Sequence, residues 1–307
     1  MRFVLFILFF ISACGQRASF ANDISSCANV KLQVLGSGGP EINDGLASSS
    51  YLIWVDGKAV IMIDAGGGSS LNFEQSGASF NDIQAILFTH LHVDHSAAIP
   101  IYVKAGYFTD RKSTLPIYGP GAGGDFPSTA EFVAALFSDQ QKSAYPYLSD
   151  NYRQQPFTDF LINATSVDPQ DKLWNSTLNE HISLQAINVR HGAIPAVAWR
   201  VNVGECSITF SGDMNGTSGN LNVLARNTNL LVANNAIPEN AHASVKRLHM
   251  TPSKIANISS LAKVKKVLLS HFMRRTMDKK QQTINIIKKT YAGEILLALD
   301  LEFISLD

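Results

Sequence analysis

At 307 residues, with 46% hydrophobic and 16% charged side chains, the chain has the composition of an ordinary globular protein and excludes a disordered or fibrous one. Its 25 basic residues balance its 25 acidic ones, so there is no overall field to grip a polyanion such as nucleic acid. Local basic runs, around Lys263, Lys265 and Lys266 and at Arg274 and Arg275, read as solvated faces.

The chain opens with the layout of an export signal. Arg2 supplies a positive start, residues 3–11 an apolar stretch too short to span a bilayer, and Ile11-Ser12-Ala13-Cys14 a small-residue end. That tetrapeptide resembles a bacterial lipobox, which implies cleavage before Cys14 and a lipid on its thiol; Gly15 would then suit outer-membrane sorting. Ser19-Phe20-Ala21 offers ordinary cleavage after Ala21 instead. Both readings place the mature protein outside the cytoplasm: periplasmic and membrane-anchored through Cys14, or secreted. Residues 1–21 are therefore expected to form the signal peptide and a short tether, and residues 28–307 the folded domain. With Cys14 lipidated, Cys27 and Cys206 remain of the 3 cysteines, as a disulfide or as two buried thiols.

Strand-like runs follow at 30–35, 50–55 and 59–63, the last two separated by the turn signal Asp56-Gly57. A short apolar strand at 83–88 leads directly into a histidine cluster, and 96–107 reads as a helix. A Gly/Pro-rich loop at 119–124 and an aperiodic polar and aromatic stretch at 139–175 read as an insertion or a lid. Within that stretch, Tyr145, Pro146 and Tyr147 either line an aromatic pocket or pack the loop against the core. Strands return at 182–189, 196–203, 206–211 and 230–233, then a helix at 252–261 and a strand at 264–270. Strand-rich halves with helices between them predict an α/β fold, an αββα sandwich of two mixed sheets flanked by helices.

The segment Thr89-His90-Leu91-His92-Val93-Asp94-His95 carries the chemistry. Of the 8 histidines in the chain, His90, His92 and His95 fall here, with Asp94 between them, at the end of a strand. Imidazole and carboxylate are ligands that zinc accepts, and alternation on an extended chain puts His90 and His92 on one side.

His-x-His-x-Asp-His after an apolar strand resembles the metallo-β-lactamase superfamily, and further pieces recur in that family's order from Val30 to the C-terminus. Asp64, in Ile63-Asp64-Ala65-Gly66, resembles the family's Asp-x-Gly turn, which supports the metal loop. The resemblance implies that one zinc ion takes His90, His92 and His191, that a second takes Asp94, His95 and His271, and that Asp213 bridges them. By the same resemblance, the bridging aspartate points away from the true zinc β-lactamases and toward ribonuclease Z-like, arylsulfatase-like and glyoxalase-like members. His249-Met250-Thr251 and Ser270-His271-Phe272-Met273-Arg274-Arg275 resemble the ribonuclease Z and arylsulfatase-like branch, as does the opening loop Gly36-Ser37-Gly38-Gly39-Pro40. In that branch the histidine matching His249 lies close to the leaving group; Thr251-Pro252 is equally a plain helix start.

The expected activity is hydrolysis of a small phosphodiester or sulfate ester by a hydroxide held between two zinc ions, with Asp94 and His249 as catalytic residues. The expected partner is a small-molecule ester rather than nucleic acid, because export separates the protein from transfer RNA precursors. Thioester or β-lactam hydrolysis, an iron-dependent oxidoreductase and a non-catalytic metal-binding lipoprotein stay open as alternatives.

Overall fold

A computed structural model describes residues 27–139, 142–152 and 160–307. The expectations about the export signal, Cys14 and cleavage after Ala21 lie outside the described residues. The first sheet is built from β1 (Val30–Gly36), β2 (Ser50–Val55), β3 (Lys58–Ile63), β4 (Ala85–Leu87), β5 (Leu115–Pro120) and β6 (Ile162–Val167). The second holds β7 (Trp174–Thr177), β8 (Ile182–His191), β9 (Ile194–Val203), β10 (Cys206–Phe210), β11 (Leu230–Asn234), β12 (Lys266–Ser270) and β13 (Glu294–Leu297). A last strand, β14 (Phe303–Ser305), returns to the first sheet and pairs antiparallel with β1.

Strand order is β14-β1-β2-β3-β4-β5-β6 in one sheet and β13-β12-β11-β10-β9-β8-β7 in the other. Both sheets are mixed: β3 to β6 run parallel, as do β10 to β13, while hairpins join β1 to β2 and β8 to β9 antiparallel. One core cluster lies between the sheets around Leu32, Ile53, Trp199 and Leu231. A second lies beneath the helices on the first sheet, around Phe80, Phe88, Tyr102 and Val133. This is the expected αββα sandwich, and its two layers of apolar contact explain why the β4 residues Ala85, Ile86 and Leu87 are all buried.

Three local readings change. The helix expected at 96–107 is two helices, Val93–Ser96 and Ile99–Gly106, because Pro100 has no N–H to continue the first and suits the opening turn of the second. The described residues of the stretch at 139–175 include β6 and the start of β7, edge strands whose half-exposed, polar sequences hide their periodicity. Tyr145 packs into the core beside Phe137, and the exposed Tyr147 ring lies over Lys104, so neither lines the cavity of the metal centre.

Tethers of two kinds, hydrogen bonds and a disulfide, hold the sheets face to face. Trp199 Nε1 donates to the carbonyl of Phe88 at 2.8 Å, and Cys27 and Cys206 form a disulfide, resolving the choice in favour of the bond. The bond joins residues 179 apart, just before β1 and at the start of β10. Closing a loop of that length restricts the unfolded chain strongly, so Cys27→Ala should lower stability by about 2–5 kcal/mol. Denaturant melts of the oxidised wild type and the variant check this, and the wild type under reductant should approach the variant.

Candidate metal centre

The centre lies where the strands of both sheets end. Beyond β4, Phe88 N–H still bonds to the carbonyl of Tyr118 at 2.7 Å and carries the chain to Thr89. Asp64, at the end of β3, then receives Thr89 N–H on Oδ1 at 2.7 Å and Thr89 Oγ1–H on Oδ2 at 2.8 Å. His92 precedes the short helix Val93–Ser96, which turns Asp94 and His95 inward. From the second sheet come His191, the last residue of β8, and His271, directly after β12. Asp213 follows β10 through Gly212, whose left-handed φ of 56° and contact with Thr89 demand glycine; a Cβ there would lie 2.7 Å from Thr89 Cβ. Gly39, in the opening loop, is required by close approach alone: a Cβ there would lie 2.8 Å from His271 Cε1.

All seven candidate ligands converge. In three groups, His90/His92/His191, Asp94/His95/His271 and His90/His95/Asp213, one ligand atom from each residue lies within 4.8 Å of the others. Asp213 stands between the first two groups, with Oδ2 3.7 Å from His191 Nε2 and Oδ1 3.4 Å from His271 Nε2. His249 joins them: its Nδ1 is 3.6 Å from Asp213 Oδ2, while Thr251 caps the helix Pro252–Leu261, as the helix-start reading of that segment expects.

Hydrogen bonds below the cluster decide which nitrogen each ring offers. His95 Nδ1 donates to Asp64 Oδ2 at 2.7 Å, and His191 Nδ1 donates to the carbonyl of Leu248 at 2.9 Å. Thr89 Oγ1, already donating to Asp64, accepts from His90 Nδ1 at 3.2 Å. Each ring is therefore turned with Nε2 toward the cluster, the nitrogen that would carry the lone pair for a bound ion. His95 Nε2 is buried with no hydrogen-bond partner, as a ligand nitrogen would be. His90 Nε2 and His92 Nδ1 are 3.1 Å apart, close to the edge of about 3.3 Å that a tetrahedral ion with bonds of about 2.0–2.1 Å requires. The donor set fits a divalent ion such as zinc.

The charges agree. Burial alone would raise Asp94, yet His95 and His271 hold it down at about 2. Burial would also raise Asp213, but His271, His249, His95 and His90 keep it well below the usual carboxylate range. In the metal-free protein burial opposes a proton on His95, while Asp64 and Asp94 outweigh it and lift the ring to about 9. His271 is raised in the same way, against burial, by Asp213 and Asp94. Burial instead lowers His90, His92 and His249, the last to about 4.

Several further residues shape the site without having been expected as site residues. Asn234, at the end of β11, donates Nδ2–H to Asp213 Oδ1 at 2.8 Å. Pro40, Leu248 and Met273 complete a cavity of about 150 Å³ lined by His92, Asp94, His191, Asp213, His249 and His271. Phe126 stands edge-on to His92, with ring centres 6.0 Å apart. Only a buried polar residue closing a strand, as Asn234 does, offers a pattern that could be searched for. The remaining histidines stay away: His181 is exposed beside Glu180, and His242 caps the helix Ala243–Lys246.

A two-sheet sandwich with this histidine and aspartate cluster at its rim defines a metal-binding hydrolase fold. The chain belongs to the metallo-beta-lactamase superfamily, whose model matches residues 43–249. It is similar to a ribonuclease Z of Mycolicibacterium paratuberculosis, 24% identical over 296 residues that cover 91% of this chain and 99% of that one. A ribonuclease Z of Lachnospira eligens is 38% identical over 74 residues, which make up 24% of each chain. Among solved structures, the short form of human tRNase Z superposes with a TM-score of 0.69 at 20% identity, covering 90% of this chain and 99% of that one.

The raised histidines set a pH dependence for the metal-free protein. With a folded pKa of about 9 against about 6.5 unfolded, His95 stabilises fully below pH 6.5, and that contribution is lost as pH rises to about 9. His90, His92 and His249 shift the other way, so their contributions change below pH 6.5 and do not offset it. The chelated protein should therefore lose Tm between pH 6.5 and 9, whereas protein saturated with zinc should not, because the ion displaces those protons. Thermal melts across that range, with and without zinc, check the sign.

Proposed function

We propose that this chain is an exported hydrolase of a small phosphodiester or sulfate ester, working with two zinc ions. The observation that carries the reading is the pair of triads, His90/His92/His191 and Asp94/His95/His271, meeting at Asp213 in one small cavity that His249 also lines. Each triad would hold one ion and Asp213 would be shared. Bound there, the ions supply Lewis acidity and hydroxide at neutral pH.

The chain's own residues do the rest. Asp94 Oδ2, 3.2 Å from His271 Nε2 and 3.6 Å from His95 Nε2, stays a carboxylate and takes a hydrogen bond that orients the attacking water. His249 turns Nδ1 toward Asp213, leaving Nε2 as the nitrogen to protonate the departing oxygen. In the metal-free protein burial lowers that ring to about 4, which disfavours the proton it would have to deliver. A cavity of about 150 Å³ suits the reacting group of a small ester. The Cys27–Cys206 bond supports an oxidising compartment, which is where the proposed export signal would deliver the chain, with Cys14 as the membrane anchor.

Similarity to ribonuclease Z over nearly the whole chain favours a second reading, cleavage of a transfer RNA precursor. Against it stand the balanced charge, with 25 basic and 25 acidic residues, and the disulfide.

Purified protein should hydrolyse bis(p-nitrophenyl) phosphate or p-nitrophenyl sulfate, lose that activity to a chelator and regain it with zinc. Efficient cleavage of a transfer RNA precursor, with neither small ester turned over, would overturn the small-ester reading. Asp213→Ala should remove at least one of two bound ions by elemental analysis, and retention of both with full activity would refute the shared ligand. His249→Ala should slow an alkyl phosphodiester by about 10²–10⁴-fold and a nitrophenyl one far less, at unchanged metal content, because nitrophenolate leaves without a proton. Comparing kcat/KM for the two leaving groups is the measurement.

A further inference from the structure

The cluster holds one more donor than its two triads and shared aspartate require. His249 Nδ1 is buried, has no hydrogen-bond partner, and lies 3.6 Å from Asp213 Oδ2. A buried polar atom left unpaired costs stability, so a nitrogen held this way calls for a ligand. His191 Nε2 lies 3.7 Å from the same oxygen, and the three ligand atoms fall within 4.8 Å of one another. Ligands bonded at about 2.0–2.1 Å to one tetrahedral ion stand about 3.3 Å apart, so small side-chain shifts close the gaps.

Asp213 divides its two oxygens between neighbours. Oδ1 accepts from Asn234 and faces His271 at 3.4 Å, on the side of the second triad, whereas Oδ2 faces both His191 and His249. His191 Nδ1 is tied to the carbonyl of Leu248, so that ring has a single nitrogen to offer. One lone pair serves one ion. His191 therefore completes a set with His90 and His92, or a set with Asp213 and His249, but never for two ions at once. The two sets also differ in access. His191, Asp213 and His249 all line the cavity, whereas His90 is wholly buried and does not.

We infer that His191, Asp213 and His249 form an entry seat for a divalent cation of the zinc type, in which His249 Nδ1 is a ligand until His90 and His92 replace it. The inference rests on the two-ion reading above and adds a position to it. His191 belongs to both sets, so the hand-over exchanges His249 for two deeper rings without releasing the ion to solvent. A metal site needs such an entry path, and here the exchange leaves His249 free to face substrate once the inner set is filled.

The test uses the full chain stripped of metal and titrated with zinc or cobalt(II) alone, so that it reads binding rather than turnover. A variant with His90→Ala and His92→Ala loses the inner set and keeps the entry seat. By calorimetry and elemental analysis it should still bind two ions, one of them about tenfold or more weaker than in wild type. Adding His249→Ala should reduce the content to one. A single ion in the double variant, or equal content and affinities with and without His249→Ala, would overturn the inference. If these variants do not fold, His249→Ala alone decides. Its ion content at equilibrium should stay at two, while cobalt(II) uptake, followed by visible absorption in a stopped-flow experiment, should slow by about tenfold or more. Uptake at the wild-type rate, or loss of an ion, would refute the entry seat. Fewer than two ions in wild type would remove the two-ion reading itself, whereas two in wild type and one in the double variant removes the entry seat alone.

Discussion

Asp64 sits almost wholly out of water with a left-handed backbone, and both its oxygens are committed beneath the histidine cluster. A buried carboxylate is tolerable only when fully hydrogen-bonded, and here the donors are Thr89 N–H, Thr89 Oγ1–H and His95 Nδ1–H. Those bonds do more than satisfy Asp64. They turn His95 Nε2 outward directly, and through Thr89 they do the same for His90. One carboxylate thus sets the presentation of a ring in each candidate ion site, and the contact of Gly212 with Thr89 connects the same support to the loop bearing Asp213.

The sandwich makes such convergence possible. In a parallel sheet the strands end on one side, so β3 and β4 of one sheet and β10, β11 and β12 of the other deliver polar loops to a common rim. Each loop supplies one or a few groups, and none makes a site alone. Rigid strands behind them keep the geometry, while the apolar layer between the sheets excludes water from below.

Much of this was legible in the sequence because metal chemistry restricts residue types severely. Histidines at positions 90, 92 and 95 stand out against a total of 8, whereas the distant His191, Asp213 and His271 become readable as ligands only through the resemblance to the metallo-β-lactamase superfamily. The αββα class followed from the same alternation of strands and helices. What stayed hidden has physical reasons. β6 and β7 lie at sheet edges, where polar residues are tolerated and period-2 patterning fades. β13 and β14 are only 4 and 3 residues long. Arg275 is half-buried rather than solvated because Nε donates to a backbone carbonyl, Ala236 O, which no side-chain pattern announces. The pairing of Cys27 with Cys206 needed the sheets' relative placement, a tertiary fact.

The return of β14 to the first sheet places Asp300 beneath the opening loop. Its carboxylate receives Ser37 N–H and Oγ–H on one oxygen and Ala47 N–H on the other, across separations of 263 and 253 residues. The loop that carries Gly39 against His271 is therefore latched by a carboxylate far along the chain. A chain can possess every histidine of the cluster and still lack an assembled mouth until β14 docks beside β1. Closing the mouth thus waits on contacts of very long sequence separation, which are the costliest in loop entropy and the slowest to form.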